Sequence, residues 1–370
     1  MSRPLRIGID GRELQGKPTG VGRYLRSLLR RFAAFDRHDF VVYGSAPFTL
    51  PTDSKRVRPR LLPSGHPLLW EQTILPAALR TDGIDVLLSP AYSCPLVSSV
   101  RRVTAIHDLS FFARSDEFSF THGLRRRILA GLAARVSHSI LACSQFTKGE
   151  VARYLGMAAA AKTEVVLLGP DDDLPEGPGR EESREALGLA PGAAYIITVG
   201  TILRRRNVST LVRAVARLRE KGSEVRLGVV GENRSHPFED VAALAERLGC
   251  ESAVRVTGFV SDDEMARHYA AADLAVLLSE YEGFGLPALE AMSRGVPLII
   301  ADRASLNEMF APGAIVVEPE ERAVVEAVSR VLGDTAIAVG LRERGRDRAK
   351  EFSWERAAQE TLAVLEKAGS

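Results

Sequence analysis

The sequence predicts an α/β protein built as two doubly wound domains, each a parallel sheet with helices around it. Three observations carry this. Short apolar runs of strand length alternate with helical stretches along the whole 370-residue chain. An acidic break rich in proline and glycine, Asp171-Asp172-Asp173-Leu174-Pro175-Glu176-Gly177-Pro178-Gly179, separates one such series from another. The chain is also longer than one hydrophobic core usually serves. The reading places one domain at 1–170, a linker at 171–192 and a second domain at 193–352.

In the first series Leu5–Asp10, Phe40–Gly44, Ile84–Ser89, Val103–His107, Ser139–Ala142 and Val165–Leu168 read as strands. Helices are expected from about Thr19 to Phe32, over Leu68–Leu79 and over Gly123–Val136. In the second series the strands are Tyr195–Val199, Val225–Val230, Val254–Thr257, Leu274–Leu278, Leu298–Ile300 and Ile315–Val317. Ser353 is a suitable cap for a last helix at 353–370. No internal sequence repeat links the two series, so any duplication is one of architecture.

Composition narrows the class. Hydrophobic residues make up 45% and charged residues 26%, as in ordinary soluble proteins. No run approaches the roughly 18–20 apolar residues of a membrane span. The N-terminus enters a strand without the apolar core of a signal peptide. Cys94, Cys143 and Cys250 match no zinc spacing and read as small buried hydrophobes. These features lead to the expectation of a cytoplasmic protein. Charge is uneven: 24 Lys+Arg face 13 Asp+Glu through residue 170, against 25 and 34 beyond it. A basic front half calls for an anionic partner. It lacks the interleaved aromatics and motifs of a nucleic-acid binder, and no nucleic acid is expected.

The most informative stretch is Ser279-Glu280-Tyr281-Glu282-Gly283-Phe284-Gly285-Leu286-Pro287-Ala288-Leu289-Glu290 and onward to Pro297. It follows the apolar run Leu274–Leu278, turns through two glycines and enters a helix with Pro287 expected at its first position. Leu286 before it is a poor cap, so the opening amides lack a side-chain partner. Free N–H groups and the positive end of a helix dipole suit an anion. Glu282 and Glu290 do not fit that role; carboxylates accept well from sugar hydroxyls. Taken singly, either glutamate reads equally as an ordinary corner or dipole-compensating acid.

Taken together, the two acids, the glycines and the proline resemble the Glu-x7-Glu signature of glycosyltransferase family 4, retaining nucleotide-sugar transferases of the GT-B fold. The resemblance implies two Rossmann-like domains facing a cleft, with the last helix returning to the first domain. It assigns Glu282 to the donor sugar, Glu290 to the ribose hydroxyls, and the amides of Gly283, Phe284, Gly285 and Leu286 to the donor.

Other stretches fit the same resemblance. Gly20-Val21-Gly22-Arg23-Tyr24 is too far from the first strand for a dinucleotide fingerprint. In the family such a glycine loop faces donor phosphates and acceptor, which implicates Gly20 and Gly22. Arg204-Arg205-Arg206-Asn207 follows Val199 at a strand's carboxyl end, where open α/β sheets bind ligands. Guanidinium forks suit diphosphate oxygens. Arg205 and Arg206 stand where the family has Arg and Lys on the donor phosphates, and Asn207 reads as a helix cap. His107-Asp108 matches the family's His-Asp element, making His107 the expected donor-positioning and catalytic residue. The other histidines read as structural or surface, with His268 expected on an exposed helix face. Thr257-Gly258-Phe259-Val260 corresponds to the base-binding turn, with backbone near Val260 reading the base.

Asp171-x-Asp173 has the look of a metal-binding Asp-x-Asp, but its setting is a solvated linker. No metal and no cofactor are expected, since arginines and a helix terminus can neutralise a leaving diphosphate. Two helices of the first domain join apolar and basic faces: Leu25, Leu28, Leu29 and Phe32 in one; Leu124, Ile128, Leu132 and Val136 beside Arg125, Arg126 and Arg127 in the other. Core packing and contact with an anionic membrane surface are both open there. The expected activity is transfer of a hexose, first mannose from GDP-mannose, to a glycan or lipid-linked saccharide acceptor in O-antigen-like polysaccharide assembly, at the cytoplasmic face of the membrane. A UDP-sugar-dependent transferase, a sugar-nucleotide epimerase and a non-catalytic sugar-nucleotide-binding scaffold are the rivals.

Overall fold

The computed structural model describes residues 3–16 and 19–370. Met1, Ser2, Lys17 and Pro18 lie outside the described residues. The chain divides into two compact units. The first comprises Met1–Ala113, Phe120–Gly169 and Phe352–Ser370; the second comprises Arg114–Ser119 and Pro170–Glu351.

The first unit holds a seven-stranded parallel sheet of β1 (Arg6–Asp10), β2 (Asp39–Gly44), β3 (Val57–Leu61), β4 (Val86–Ser89), β5 (Arg101–Ile106), β6 (Ser139–Ala142) and β7 (Thr163–Val165). Its order is β3-β2-β1-β4-β5-β6-β7. The second unit holds a six-stranded parallel sheet of β8 (Ala194–Val199), β9 (Val225–Val230), β10 (Val254–Gly258), β11 (Leu274–Leu277), β12 (Leu298–Ala301) and β13 (Ile315–Val317). Its order is β10-β9-β8-β11-β12-β13. Both sheets therefore reverse strand order once, between β1 and β4 and between β8 and β11. In doubly wound sheets such reversals open a crevice at the carboxyl ends of the strands.

The inner strands of both sheets are buried along most of their length, as parallel sheets covered on both faces require, while the edge strands β3, β7, β10 and β13 are more exposed. Of these, β3 is the one the sequence reading missed. Val57-Arg58-Pro59-Arg60-Leu61 is mostly exposed and carries a proline, both tolerated because it is an edge strand. The stretch 171–192, expected as a linker, is instead part of the second unit. It carries the helix Arg180–Ala186, whose Arg180 and Arg184 reach the Asp273 carboxylate at 2.5 and 3.3 Å.

The helix expected over Leu68–Leu79 is interrupted. Pro67–Leu69 and Leu75–Thr81 are α-helical, and Trp70–Ile74 forms a π-helical turn between them. Pro76 has no N–H to continue the ladder at that point. In the helix Gly20–Phe32 the stripe Leu25, Leu28, Leu29 and Phe32 is completely buried, so that helix is core. In the helix Phe120–Val136 the outcome differs: Phe120, Leu124 and Ile128 are 77, 41 and 52% exposed, while Leu132 and Val136 are partly covered. The last helix, Trp354–Gly369, packs on the Gly20–Phe32 helix, with Trp354 6.1 Å from Tyr24 between ring centroids. Ser353 caps it, accepting from the Glu355 and Arg356 amides. Among the described residues no helix is long and apolar enough to cross a membrane.

Candidate functional site

At the reversal of the second sheet, the loops leaving β8 and β11 meet. The Glu280 amide donates to the Arg205 carbonyl at 2.7 Å. Asn207 donates to the Leu278 carbonyl at 3.0 Å and to Glu280 Oε1 at 3.2 Å. Its backbone is left-handed and its side chain makes no cap bond to the helix Val208–Glu220. The expected capping role is thus replaced by one that ties the two loops together.

The β11 loop carries Glu282 to Leu286. Glu282 Oε1 accepts from Ser279 Oγ at 3.0 Å and pairs with Arg206 Nε at 3.0 Å. The buried Ser305 hydroxyl donates to the carbonyls of Glu282 and Phe284 at 2.7 and 3.0 Å, fixing the turn from below. Gly285 is the N-cap of the helix Leu286–Ser293, with φ of 103°. A Cβ there would lie 2.7 Å from Leu306 Cδ2 and 3.1 Å from the Phe310 ring, so only glycine fits both backbone and space. Pro287 occupies the second helical position rather than the first, and no side chain caps this helix. Phe284 is buried edge-on against Phe310 at 5.9 Å and acts as the anchor of the turn.

Glu290 lies one turn into this helix and is 3% exposed. Tyr269 donates to its Oε2 at 2.8 Å, orienting the carboxylate. Tyr269 belongs to the helix Asp262–Ala271, which starts directly after Val260 and Ser261. Val260 itself is buried, while Phe259 beside it is half exposed. The Val260 turn joins the same edge by a backbone route. Gly258 bridges Gly231 beyond β9, and a Cβ on Gly231 would come within 2.2 Å of the Gly200 carbonyl beyond β8.

The two arginines differ. Arg206 folds over Gly200, donates to the Val199 carbonyl at 3.0 Å and faces Glu282. Arg205 is committed to Glu117, at 2.8 Å, with both side chains nearly buried. Glu117 lies in the short Arg114–Ser119 segment that packs with this unit. Arg114 and Arg303 both reach Glu280 at 3.4 Å. The loop beyond β8 and β11 is therefore a lattice of alternating arginines and glutamates. Asp171 is no part of it; its Oδ1 accepts from the Asp173 amide in a short turn.

His107 stands in the first unit, one residue beyond β5. Its Nε2 lies 2.9 Å from the Pro90 carbonyl, which can only accept, so Nε2 carries the proton. The Tyr24 ring meets it edge-on at 4.7 Å. Burial lowers the imidazole pKa, against the opposing pull of the Pro90 carbonyl and Asp108, and keeps His107 neutral at ordinary pH. Asp108 accepts from the Ser110 amide and hydroxyl. Gly20 and Gly22 open the Gly20–Phe32 helix, and the Gly22 amide donates to the Thr19 hydroxyl at 2.9 Å. That amide closes the cap rather than standing open. His268, expected on an exposed face, is wholly buried; Tyr195 approaches its Nδ1 at 2.6 Å, and burial, with Arg255, lowers its pKa to about 4.

The sequence profile described as "Glycosyl transferases group 1" matches residues 179–352, and that described as "Glycosyltransferase Family 4" matches residues 18–174. The chain belongs to the family 4 glycosyltransferases. Across 365 residues it is 28% identical to the O-antigen chain mannosyltransferase B of Escherichia coli, covering 93% of this chain and 95% of that one. It is 38% identical over 168 residues to an MMP alpha-(1->4)-mannosyltransferase of Mycolicibacterium hassiacum, covering 44% of this chain and 40% of that one. The fold matches Anabaena Alr3699/HepE in complex with UDP and glucose, with a TM-score of 0.79 at 20% identity, over 98% of this chain and all of that one. Family membership makes the chain a transferase enzyme of GT-B fold.

Within this glycosyltransferase the sequence reading missed the residues that hold the site in shape. Ser279, Ser305 and Tyr269 orient the two glutamates, and Glu117 and Glu280 counter the arginines. Ser279 and Glu280 alone had a local signal, standing within three residues of Glu282 at a strand end. Ser305, Tyr269 and Glu117 arrive from more distant segments and leave no mark in spacing.

Proposed function

We propose that the chain is a retaining glycosyltransferase that moves a hexose, first mannose from GDP-mannose, to a glycan or lipid-linked saccharide acceptor in cell-surface polysaccharide assembly. One observation carries the reading: at the reversal of the second sheet, Arg206 and Glu282 pair at 3.0 Å beside an uncapped helix that bears the buried Glu290. A cation and a helix N-terminus suit a diphosphate, and two oriented carboxylates suit sugar and ribose hydroxyls. The likeness to two mannosyltransferases supports the choice of sugar. The reading gives Glu282 and His107 the donor sugar, Glu290 the ribose, the Val260 turn the base, and Gly283 to Leu286 and Arg206 the diphosphate. Arg205, paired with Glu117, supports the loop and adds to its positive field. Gly20 and Gly22 shape the turn on the acceptor side.

The acceptor hydroxyl attacks the anomeric carbon on the face the diphosphate leaves, and the departing phosphate oxygen takes its proton. The charge of the leaving group falls on Arg206 and the helix terminus, so the reading requires no metal or other cofactor. The test is the anomeric configuration of the product by NMR with GDP-mannose and a panel of UDP-sugars. Retention from GDP-mannose supports the reading, and an inverted product overturns it.

The acceptor side of this reading includes a lipid surface. On the helix Phe120–Val136 the exposed Phe120, Leu124 and Ile128 recur every four residues on one face, with Arg125, Arg126, Arg127 and Arg135 on the same helix. An apolar stripe among arginines suits reversible attachment to an anionic bilayer. Sedimentation with phosphatidylglycerol vesicles is expected, and is lost on Ile128→Asp. Equal sedimentation of that variant contradicts the attachment.

A further inference from the structure

The reversal of the first sheet lies between β1 and β4, with β5 next in order, and the carboxyl ends of these three neighbours are tied together. Asp10 ends β1 and is 4% exposed. Two residues on, Arg12 bonds it through Nε at 3.0 Å and Nη2 at 2.6 Å, and the same Nη2 reaches Glu71 Oε1 at 2.5 Å. The guanidinium lies 4.7 Å from the Trp70 ring centroid. Burial works against the charge on Arg12, but Asp10 and Glu71 more than restore it, and the guanidinium is held firmly protonated.

Glu71 is the centre of this arrangement. It sits in the π-helical turn Trp70–Ile74 and is 2% exposed. Its Oε1 also accepts from Ser93 Oγ at 2.6 Å, and its Oε2 accepts from Gln72 Nε2 at 2.9 Å. Gln72 in turn donates to the Cys94 carbonyl at 3.2 Å and accepts from the Leu96 amide at 2.8 Å. Consecutive residues of one π turn thus clamp the segment beyond β4 at three points. The same segment begins with Pro90, whose carbonyl receives the His107 Nε2 proton. Single-turn π segments recur at functional sites, where they re-aim side chains that a regular helix would direct elsewhere.

We propose that Glu71 is a positioning residue for His107. Through Ser93 and Gln72 it fixes the segment beyond β4, and the Pro90 carbonyl then locks His107 in the Nε2–H tautomer, leaving Nδ1 as the basic nitrogen that faces a substrate. The proposal rests on the role given to His107 above. Hydrogen-bond partners of one ring nitrogen decide what the other can do. The Arg12–Asp10 pair contributes by holding the Glu71 carboxylate in place through Arg12 Nη2.

The test uses the full-length protein with 15N-labelled histidine, long-range 15N–1H correlation to assign the His107 tautomer, and steady-state GDP release from GDP-mannose. The wild type shows a single Nε2–H tautomer at His107. Ser93→Ala, a small change that leaves the fold intact, and Glu71→Ala give mixed tautomers and lower kcat by about tenfold, with KM within about twofold. Glu71→Gln, which keeps an acceptor for Ser93, recovers part of both. A folded Ser93→Ala that retains the single tautomer and wild-type kcat overturns the proposal, whether or not Glu71→Ala folds. His107→Ala in the same assay separates the two readings: if it keeps full kcat, the role given to His107 fails, and the tautomer data alone decide whether Glu71 positions the ring.

Discussion

At the reversal of the second sheet, between β8 and β11, a glycine turn, an uncapped helix and partly exposed Arg206 and Glu282 stand around one loop. At the equivalent point of the first sheet, between β1 and β4, Asp10, Arg12, Glu71 and Ser93 bond one another, and both carboxylates are buried. The strand permutation is the same and the chemistry is not. In the second unit the polar groups stay partly exposed beside an uncapped helix; in the first they are buried and hold a loop, and His107 Nε2 is held by the Pro90 carbonyl. A repeated architecture thus supplies two crevices, and side chains brought from outside the strands give each a different chemistry.

The comparison can be broken most severely at Glu282. Glu282→Gln keeps the Ser279 bond but removes the charge facing Arg206, and kcat/KM for transfer is expected to fall by about 10²–10³-fold in a folded protein. Near-normal turnover would remove the acid from the site. The arginines come next, because the structure gives them different duties. Arg205→Ala leaves Glu117 buried without its partner and is expected to lower unfolding free energy by about 3 kcal/mol in urea. Arg206→Ala is expected to cost less stability but to abolish the response to a nucleotide sugar. Finding the two effects exchanged would reverse the assignments.

Smaller effects sharpen the picture. Gly285→Ala forces an unfavourable φ and a contact with Leu306, and a loss of about 2 kcal/mol is expected in the same denaturation assay. His268 gives the mildest signal. Its folded pKa of about 4 lies below the unfolded value, so the unfolded chain takes up the proton first as pH falls. Stability is therefore expected to decrease by about 1 kcal/mol from about pH 7 to about pH 5.5. His268→Phe should flatten that slope, and an unchanged slope would show that other groups cause it.

Much of the fold was legible because it is written locally. Apolar runs such as Val225–Val230 and Ile315–Val317 appear as strands with the bounds read from the sequence. The edge strand β3 was not legible, since Val-Arg-Pro-Arg-Leu has neither an apolar run nor freedom from proline. The π turn at Trp70–Ile74 hides inside a convincing helical pattern, where period alone cannot distinguish one extra residue. Glu282, the glycines and Glu290 could be found because their spacing is short and set by one turn and one helix. Arg205 and Glu117 lie 88 residues apart, and His268 and Tyr195 lie 73 apart. Such pairs depend on which helix covers which strand. For the same reason His268 read as a surface residue, and the pairing of Arg205 with Glu117 was not foreseen.

The most direct measurement is thermal unfolding of the wild type and of Glu290→Gln against a panel of nucleoside diphosphate sugars. A ligand that binds only the folded chain raises the midpoint with its occupancy. The account requires that GDP-mannose raise the wild-type midpoint most. It also requires Glu290→Gln, which keeps the Tyr269 partner in place, to lose most of that response. A larger response to a UDP-sugar would replace the donor and leave the site standing. An equal response in the variant, or none with any sugar nucleotide in folded wild-type protein, would contradict the assignment of the second sheet's reversal as the donor site.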